Sequence, residues 1–305
     1  MKKFLSSIIL FIPFSLILYV VLICLWGSNL PTRHRPNLIY KLGHWGHIYS
    51  RLQEAKTYRD VDILFLGSSH SYRGFDVRKF DSLGLKTFNM GTGAQTPIQT
   101  KALLKRYLPK MNPKTIIYEV SPILFSYEPV ESSLDLIAND VNDWNTMEMV
   151  FSINHIKTYN TAIYAMYRDA LNLNKDFKEN ASRADDLYIP GGYVQKRMKR
   201  YKYRKHNKKE RKPRSIQVNA FYHNVQMIKD KEINLILVQT PITQSLYKAH
   251  TSNKLFDKQM KELAPYYNFN ELIQLDDSIH FYDSHHLNQD GVEVFNDSLI
   301  MRLGL

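Results

Sequence analysis

The feature that most constrains the fold is an alternation, beginning at Val61, of short apolar runs with stretches of helical periodicity. Helices are predicted near Val77–Ser82, Ile98–Leu108 and Asp290–Leu303. The apolar runs typical of strands are VDILFLG, KTFNM, KTIIYEV and INLILVQT, with NELIQLDD as a weaker fifth. Strands that alternate with helices form a parallel sheet covered on both faces. We therefore expect an α/β protein, a three-layer α/β/α sandwich with a mostly parallel five-stranded sheet.

The third and fourth predicted strands are separated by a long excursion at about residues 125–214. Its first part, which includes WNTMEMVFSINHIKTYNTAIYAMYRDAL, has apolar residues at helical spacing. We expect a helical insertion that caps the sheet, not an independent second domain, because a chain of 305 residues suffices for one large domain. The predicted organisation is an anchor over residues 1–27, a stalk over 28–59 and one domain over 60–305.

The N-terminus carries an uncharged apolar run from Phe4 to Trp26, directly after Met-Lys-Lys. Its 23 residues are enough to cross the ~30 Å hydrocarbon core of a bilayer. A cleaved signal peptide is the alternative, but its apolar region would span only about 7–15 residues and end at small residues. Leu25 and Trp26 make a poor cleavage site. We predict an uncleaved transmembrane helix, with a removed signal as the open alternative.

The orientation of this helix is not fixed by its flanking charges. Lys2 and Lys3 lie on one side, and Arg33 and Arg35 lie just past the other. Long domains are exported largely regardless of such charges, so we expect a single-pass cell-membrane protein whose main domain is extracytoplasmic, in the periplasm or on the outer face. The single cysteine, Cys24, lies inside the apolar run and is compatible with either compartment.

The positive charge is concentrated in one tract, residues 196–214, with the sequence KRMKRYKYRKHNKKERKPR. It contains twelve lysines or arginines and one glutamate, and so accounts for nearly all of the net charge of +12. A basic tract with interleaved Tyr201 and Tyr203 suggests nucleic acid. On an exported, anchored domain, an anionic membrane surface or an acidic envelope polymer fits better, and we expect no nucleic-acid partner. A solvated insertion without a partner is the simpler alternative.

Three polar segments lie where strands of the predicted sheet end. GSSH, residues 67–70, follows the first strand, and NMGTGAQT, residues 89–96, follows the second. DSHH, residues 283–286, precedes the last helix. Sites in open parallel sheets form at the carboxyl ends of the strands. We therefore expect the three segments to meet at one edge of the sheet.

These segments contain the residue types that a serine nucleophile requires. A serine reacts only when a base removes its proton, and an acid partner must hold that base in one tautomer. Asp283 and His286 are three residues apart, a spacing that lets their side chains meet. Ser69 at a tight strand-to-helix turn can present its hydroxyl over the sheet edge. The pattern indicates acyl transfer through a serine.

The motifs FLGSSHS, FNMGTGAQTP and DSHHLNQDG together resemble the SGNH (GDSL-like) hydrolase superfamily. The resemblance covers roughly residues 60–125 and 233–303. It implies that Ser69 is the nucleophile, Asp283 the acid and His286 the base. It also implies that the backbone N–H of Gly93 or Ala94 is an oxyanion donor. The family needs no cofactor, and we expect none.

One family motif is not matched. The family expects Gly-x-Asn-Asp after the third strand, whereas this chain has YEVSP, and Ser121 lies nearest the Asn position. Losing one oxyanion donor typically costs about 10²–10³ in rate. Ser121, Gln95 or a partner protein are the candidates to replace it. Ser68 stands where the family more commonly has Asp.

Two further interpretations concern histidines. His70, next to the predicted nucleophile, is a candidate for positioning the substrate. A metal site formed by Asp283, His285 and His286 is the less favoured interpretation of the C-terminal motif, so we predict no metal.

The Gly-Ser-Ser variant on an N-terminal anchor is similar to the accessory proteins of alginate O-acetylation and teichoic-acid D-alanylation. That likeness implies serine-dependent transfer of an O-acetyl or similar group to or from an extracytoplasmic cell-envelope glycopolymer. It also implies a membrane-bound O-acyltransferase as partner. The alternatives are a carbohydrate or lipid esterase with water as acceptor, and a catalytically silent assembly or binding subunit.

Overall fold

The computed structural model describes residues 2–305 of the chain. The strands are β1 (Ile63–Leu66), β2 (Thr87–Asn89), β3 (Thr115–Glu119), β4 (Ser182–Arg183), β5 (Asp186–Ile189), β6 (Tyr193–Lys196), β7 (Asn234–Gln239) and β8 (Tyr266–Asn268). The helices up to the small sheet are α1 (Lys2–Asn29), α2 (Ile48–Ala55), α3 (Ser69–Gly74), α4 (Val77–Asp81), α5 (Pro97–Met111), α6 (Pro122–Ser126), α7 (Val130–Asn139), α8 (Trp144–Ile153) and α9 (Ile156–Ala170). The later helices are α10 (Ser215–Lys229), α11 (Gln244–Ala249), α12 (Asn253–Lys261), α13 (Phe269–Leu272), α14 (Asp277–His280) and α15 (Gln289–Leu303).

Within residues 2–305 the main sheet has five strands in the order β2-β1-β3-β7-β8, and all neighbours pair in parallel. The predicted α/β class with a parallel five-stranded sheet is therefore confirmed. The predicted position of the fifth strand is wrong. NELIQLDD contributes the end of α13 and the loop before α14, and the edge strand is the segment just before it, Tyr266–Asn268.

Alternate residues of the central strands pack against opposite layers of helices. Leu64 and Ile116 belong to one apolar cluster with α5 and α10. Phe65 and Ile117 belong to a second cluster with α4 and α15. Side chains of a strand alternate between its two faces, so a sheet buried on both faces has near-continuous apolar strands. This explains runs such as ILFL and gives the molecule its three layers.

Two of the helices that flank the site have clear local start signals. At the start of α5, the Thr96 N–H donates to Gln99 Oε1 at 2.8 Å in a capping box, with Pro97 in the first turn. At the start of α15, Asn288 Oδ1 accepts from Gly291 N–H at 3.1 Å. These caps fix where the loops before both helices end, and both loops border the site.

The excursion between β3 and β7 contains helices α6 to α9, as expected, and also a small antiparallel sheet of β4, β5 and β6. That sheet was not predicted, because its strands are only two to four residues long, too short to show a clear periodicity. It is tied to the main domain by Arg73, whose guanidinium pairs with Asp186 of β5 at 2.8 and 3.0 Å.

The N-terminal apolar run forms the helix α1, which is long and apolar enough to cross a membrane. A signal sequence at this position would meet the same criteria. The segment predicted as a stalk is packed against the domain: Leu38 and, within α2, Ile48, Leu52 and Ala55 are buried in the larger apolar cluster.

Candidate active site

The turn after β1 is shaped by a glycine. Gly67 has φ of +138°, a region that only glycine adopts without strain. A Cβ at this position would lie 2.6 Å from the side chain of Glu119. Ser68 then caps α3, its hydroxyl accepting from His70 N–H at 3.2 Å. Ser69 is therefore the first residue of α3, where the backbone N–H has no acceptor within the helix.

A buried carboxylate holds this turn from below. Glu119, the last residue of β3, has no solvent exposure, and its Oε2 accepts from both Ser68 N–H at 2.8 Å and Ser68 O–H at 2.9 Å. Its other oxygen lies 3.4 Å from His70 Nδ1. The two hydrogen bonds from Ser68 offset part of the cost of burying this carboxylate, whereas Oε1 accepts no hydrogen bond. Sequence analysis missed Glu119, although a glutamate inside the apolar strand KTIIYEV was the signal to follow.

The loop after β2, which contains Gly91 and Gly93, is connected to α3 by hydrogen bonds of Asn89. Asn89 Oδ1 accepts from Ser71 O–H at 3.0 Å and from Gly91 N–H at 3.1 Å, and its Nδ2 donates to Ser71 O at 2.9 Å. A Cβ on Gly91 would lie 2.8 Å from Ser68 O, so the loop lies directly against the Ser68–Ser69 turn. The loop continues through Ala94 in the left-handed conformation, with φ of 49°.

The third segment supplies a histidine and an aspartate. His286 Nε2 lies 2.8 Å from Ser69 Oγ, and His286 Nδ1 lies 2.9 and 3.0 Å from the two oxygens of Asp283. Asp283 Oδ1 also accepts the backbone N–H groups of His285 and His286, at 2.7 and 2.8 Å. The ring of Tyr282 stacks on His286 with an interplanar angle of 4°. This geometry assigns the proton to His286 Nδ1 and leaves the Nε2 lone pair for the Ser69 hydroxyl.

Electrostatics keep this histidine neutral. Burial lowers the pKa of His286, and the neighbouring Asp283 only partly opposes that effect. Burial would raise the pKa of Asp283, but hydrogen bonds from His286 and from two backbone N–H groups hold that pKa well below its usual value. A neutral imidazole beside an ionised carboxylate is the state in which histidine acts as a general base.

These residues open onto a cleft of about 480 Å³ at the carboxyl edge of the sheet. Ser69, Gly93, Ala94, Asp283 and His286 all line it, so the structure brings residues of the three predicted segments together. Their catalytic roles remain predictions.

The other predicted site residues lie away from the cleft wall. Gln95 is buried and bridges Thr92 and Thr100, with both hydrogen bonds at 2.9 Å. Ser121 is the N-terminal residue before α6 and is buried. His70 lines a small cavity behind His286, where the two ring centroids are 5.2 Å apart. In this geometry neither Gln95 nor Ser121 faces the cleft.

Several cleft residues were not predicted, because they come from distant parts of the chain. Arg73 is four residues after Ser69 on α3 and faces the same cleft, a spacing that helical periodicity could have signalled. Trp45, from the segment before α2, forms one wall and is 61% exposed. Lys196, at the end of β6 and the start of the basic tract, forms another and pairs with Asp186 at 3.0 Å.

No group of three or more His, Cys, Asp or Glu side chains is placed to hold a metal ion anywhere in residues 2–305. His285, the histidine of the discarded metal interpretation, stacks near His70 with ring centroids 6.1 Å apart. Burial, and then the nearby His70, lower the pKa of His285 to about 3.

Comparison with known proteins gives only a distant likeness. No protein-family model matches the chain, and no curated protein matches it. Among solved structures, it is similar to a candidate acylhydrolase from Bacteroides fragilis at 10% identity, over 85% of this chain and 96% of that one, with a TM-score of 0.42. It is also similar to a GDSL-like lipase from Bacteroides thetaiotaomicron at 11% identity, over 84% and 96% of the two chains, with a TM-score of 0.41.

Proposed function

We propose that this protein transfers acyl groups through Ser69, as a membrane-anchored protein of SGNH type. The observation that carries the proposal is the single line of contacts from Ser69 Oγ to His286 Nε2 at 2.8 Å, and from His286 Nδ1 to Asp283 Oδ2 at 2.9 Å. A serine, a neutral histidine and an ionised aspartate in this arrangement constitute an activated nucleophile.

In the first half-reaction, Ser69 Oγ attacks the carbonyl carbon of an acyl ester while His286 Nε2 takes the hydroxyl proton. The tetrahedral intermediate collapses, the C–O bond to the leaving alcohol breaks, and His286 returns the proton to that alkoxide. The acyl group is then bonded to Ser69. In the second half-reaction, His286 deprotonates an acceptor hydroxyl, which attacks the acyl-serine and releases Ser69 with its proton restored.

The charge that develops on the carbonyl oxygen needs donors that are already in place. Ser69 N–H, free at the start of α3, is one candidate. The loop that contains Gly93 and Ala94 lines the same cleft and offers a second backbone N–H. Because backbone groups donate, the alanine at position 94 is compatible with this role.

We propose an extracytoplasmic cell-envelope glycopolymer as the acceptor, or as the source, of an O-acetyl or similar group. Lys196, where the basic tract begins, lines the cleft. Further along the tract, Tyr201 N–H donates to Phe281 O at 2.8 Å and Lys209 N–H donates to Ala249 O at 2.8 Å. The tract thus follows the loops that carry the site, which suits an anionic polymer, and an anionic membrane surface is its other proposed partner.

The proposed setting is a single-pass membrane protein with its main domain outside the cytoplasm, beside a membrane-bound O-acyltransferase. The apolar helix α1 supports the anchor by its length and composition. The resemblance to accessory proteins of glycopolymer acylation supports the remainder of this setting.

A catalytically silent subunit is the second candidate, and one observation favours it. The position where the family has an oxyanion-binding Asn holds Ser121, whose buried hydroxyl does not line the cleft. Without a third donor the rate is expected to fall by about 10²–10³. Such a protein would bind its acyl ligand without turning it over efficiently.

Labelling with a fluorophosphonate distinguishes the two candidates. The full chain, purified in detergent, is expected to be labelled once, at Ser69. Ser69→Ala should abolish the labelling, and the matched control Ser82→Ala, at an exposed serine that directly follows α4, should retain it. No labelling of a folded full chain would favour the silent subunit and refute the catalytic proposal.

Transfer is distinguished from hydrolysis by measuring whether the acyl group is transferred to a glycan or released as the free acid. With an acetyl ester donor, a transferase should acetylate an added anionic glycan, and its turnover should be slow without that glycan. Equal release of free acetate with and without the glycan would identify an esterase that uses water.

A further inference from the structure

Helices α8 and α9 present an apolar face to the outside of the molecule. On α9, the exposed Ile156 and the half-buried Tyr159 and Ile163 follow one another at three- and four-residue spacing and therefore lie on one side. On α8, Trp144 and Phe151 are 72% and 55% exposed. Phe151 joins the two sets, because its ring lies 6.4 Å from that of Trp144 and 6.0 Å from that of Tyr159. These five residues are called the α8–α9 face below.

The charged side chains of α9 are directed elsewhere. Lys157 pairs with Glu131 of α7 at 3.0 Å, and Arg168 donates to Asn174 at 2.9 Å. The remaining charge of α9, Asp169, accepts from Asn142 Nδ2 at 2.9 Å, so no charge of α9 lies within the α8–α9 face. A contiguous exposed apolar surface of this kind marks an interaction site.

The apolar helix α1 packs on α9 beside this face. The Tyr19 hydroxyl donates to Asn160 Oδ1, and Gly27 lies against the ring of Tyr164. Later residues of α1 thus meet later residues of α9, so the two helices run in the same general direction. The free N-terminal part of α1 consequently extends past the N-terminal end of α9, on the side where the α8–α9 turn lies.

The length of α1 decides where the membrane surface falls. The part that precedes the Tyr19–Asn160 hydrogen bond, Phe4–Leu18, has fifteen residues and spans ~22 Å at 1.5 Å per residue. This is ~8 Å less than the ~30 Å hydrocarbon core. The missing length is available only from the part of α1 that runs alongside α9. A bilayer that accommodates α1 must therefore reach the first turns of α9.

We propose that the α8–α9 face is seated in the surface of the lipid bilayer, next to α1. A depth of ~8 Å places the first turns of α9 just inside the boundary between the hydrocarbon core and the headgroups. Trp and Tyr side chains are enriched at this level of a membrane, as Trp144 and Tyr159 would be here. The inference rests on the proposed anchor, because a removed α1 would no longer hold this face against the membrane.

The proposed bilayer contact also constrains the position of the cleft that contains Ser69. Its walls include Trp45 and Ile39, from the segment that directly follows α1, and Ser132 of α7, a helix that packs on α9. The bilayer contact therefore fixes the orientation of Ser69 and of the cleft relative to the membrane surface.

The test uses the three tryptophans of the full chain, reconstituted in phosphatidylcholine nanodiscs. Three single-tryptophan variants are made by replacing the other two with Phe, leaving Trp26, Trp45 or Trp144. Quenching is measured with lipids brominated close to the headgroup or deep in the acyl chain. Trp144 is expected to show blue-shifted emission and to lose intensity mainly with the shallow bromines. Trp45, in the cleft, serves as the matched water-facing control and should keep its intensity.

Trp26 separates failure of this inference from failure of the anchor. If Trp26 is quenched and Trp144 is not, α1 is inserted and the α8–α9 face is not in lipid, which overturns the inference alone. If neither residue is quenched, the anchor and the inference both fail.

A second measurement serves if a tryptophan variant does not fold. A nitroxide is attached at Ile156→Cys in a chain that also carries Cys24→Ser, with Tyr222→Cys on α10 as the exposed control. The label at 156 is expected to be more accessible to oxygen than to a water-soluble nickel complex, and the label at 222 the reverse. Equal behaviour of the two labels would overturn the inference.

Discussion

His286 Nε2 lies 2.8 Å from Ser69 Oγ, although 217 positions of the chain separate the two residues. The contact joins the turn after the first strand to the loop before the last helix. Asp283 continues the line on the other side of the imidazole. The tertiary structure thus converts two polar motifs, each unremarkable alone, into one arrangement suited to acyl transfer.

Replacing Asp283 should lower kcat more than it lowers the stability of the fold. Asp283→Asn removes the carboxylate that keeps the proton on His286 Nδ1, and kcat is expected to fall by about 10⁴ because the wrong tautomer faces Ser69. Fluorophosphonate labelling rates measure the effect. The matched control is Asp230→Asn, at a carboxylate exposed at the end of α10, which should label at the wild-type rate. Equal rates for the two variants would contradict the role of Asp283.

The pH profile should report a histidine that stays neutral in mild acid. Burial lowers the pKa of His286 below its ordinary value of 6.5, so less than half of it is protonated at pH 6.5. The general base is lost as pH falls through this lowered pKa. The acid limb of kcat/KM, or of the labelling rate, should therefore have its midpoint below pH 6.5. Circular dichroism over the same range checks that the fold persists, and a midpoint above pH 6.5 would be inconsistent with the geometry.

Replacements of Glu119 and of Ser68 should have coupled effects on the free energy of unfolding. Glu119→Ala leaves the N–H and O–H of Ser68 without an acceptor, at a cost of about 1–3 kcal/mol for each unpaired buried group. Ser68→Ala removes only the hydroxyl. Urea unfolding of both single variants and of the double variant gives the coupling energy, expected at about 0.5–3 kcal/mol for contacting residues. Strictly additive losses would show that Glu119 does not act through Ser68.

Two glycines with positive φ should respond differently to alanine. Gly84, with φ of +77°, has no other atom within 4 Å of the position where a Cβ would lie, so Gly84→Ala measures backbone strain alone, about 1 kcal/mol. Gly67→Ala adds a collision with Glu119 to a conformation that other residues rarely adopt. It should lower the free energy of unfolding more than Gly84→Ala and also slow the labelling of Ser69. Similar losses for the two variants would refute the close packing of this turn.

Much of the architecture could be predicted because it is encoded locally. The run ILFL is apolar at every position and NLILVQ at its four inner positions, as expected of strands buried on both faces, and they mark β1 and β7. The fifth strand was misplaced because NELIQLDD contains the short, mostly apolar run LIQL, whereas YYN is too short for periodicity to detect. The small sheet β4–β6 escaped prediction for the same reason.

The sequence by itself determined β1, β2, β3 and β7 with the helices that alternate with them, the apolar N-terminal helix and the three polar motifs, since each depends on neighbouring residues. Only the tertiary structure decided which side chains surround Ser69. Glu119 under the turn, Arg73 and Trp45 in the cleft and the packing of α1 on α9 all depend on contacts between distant segments. Such contacts are selected by packing and by the pairing of buried polar groups, which leave no periodic signal along the chain.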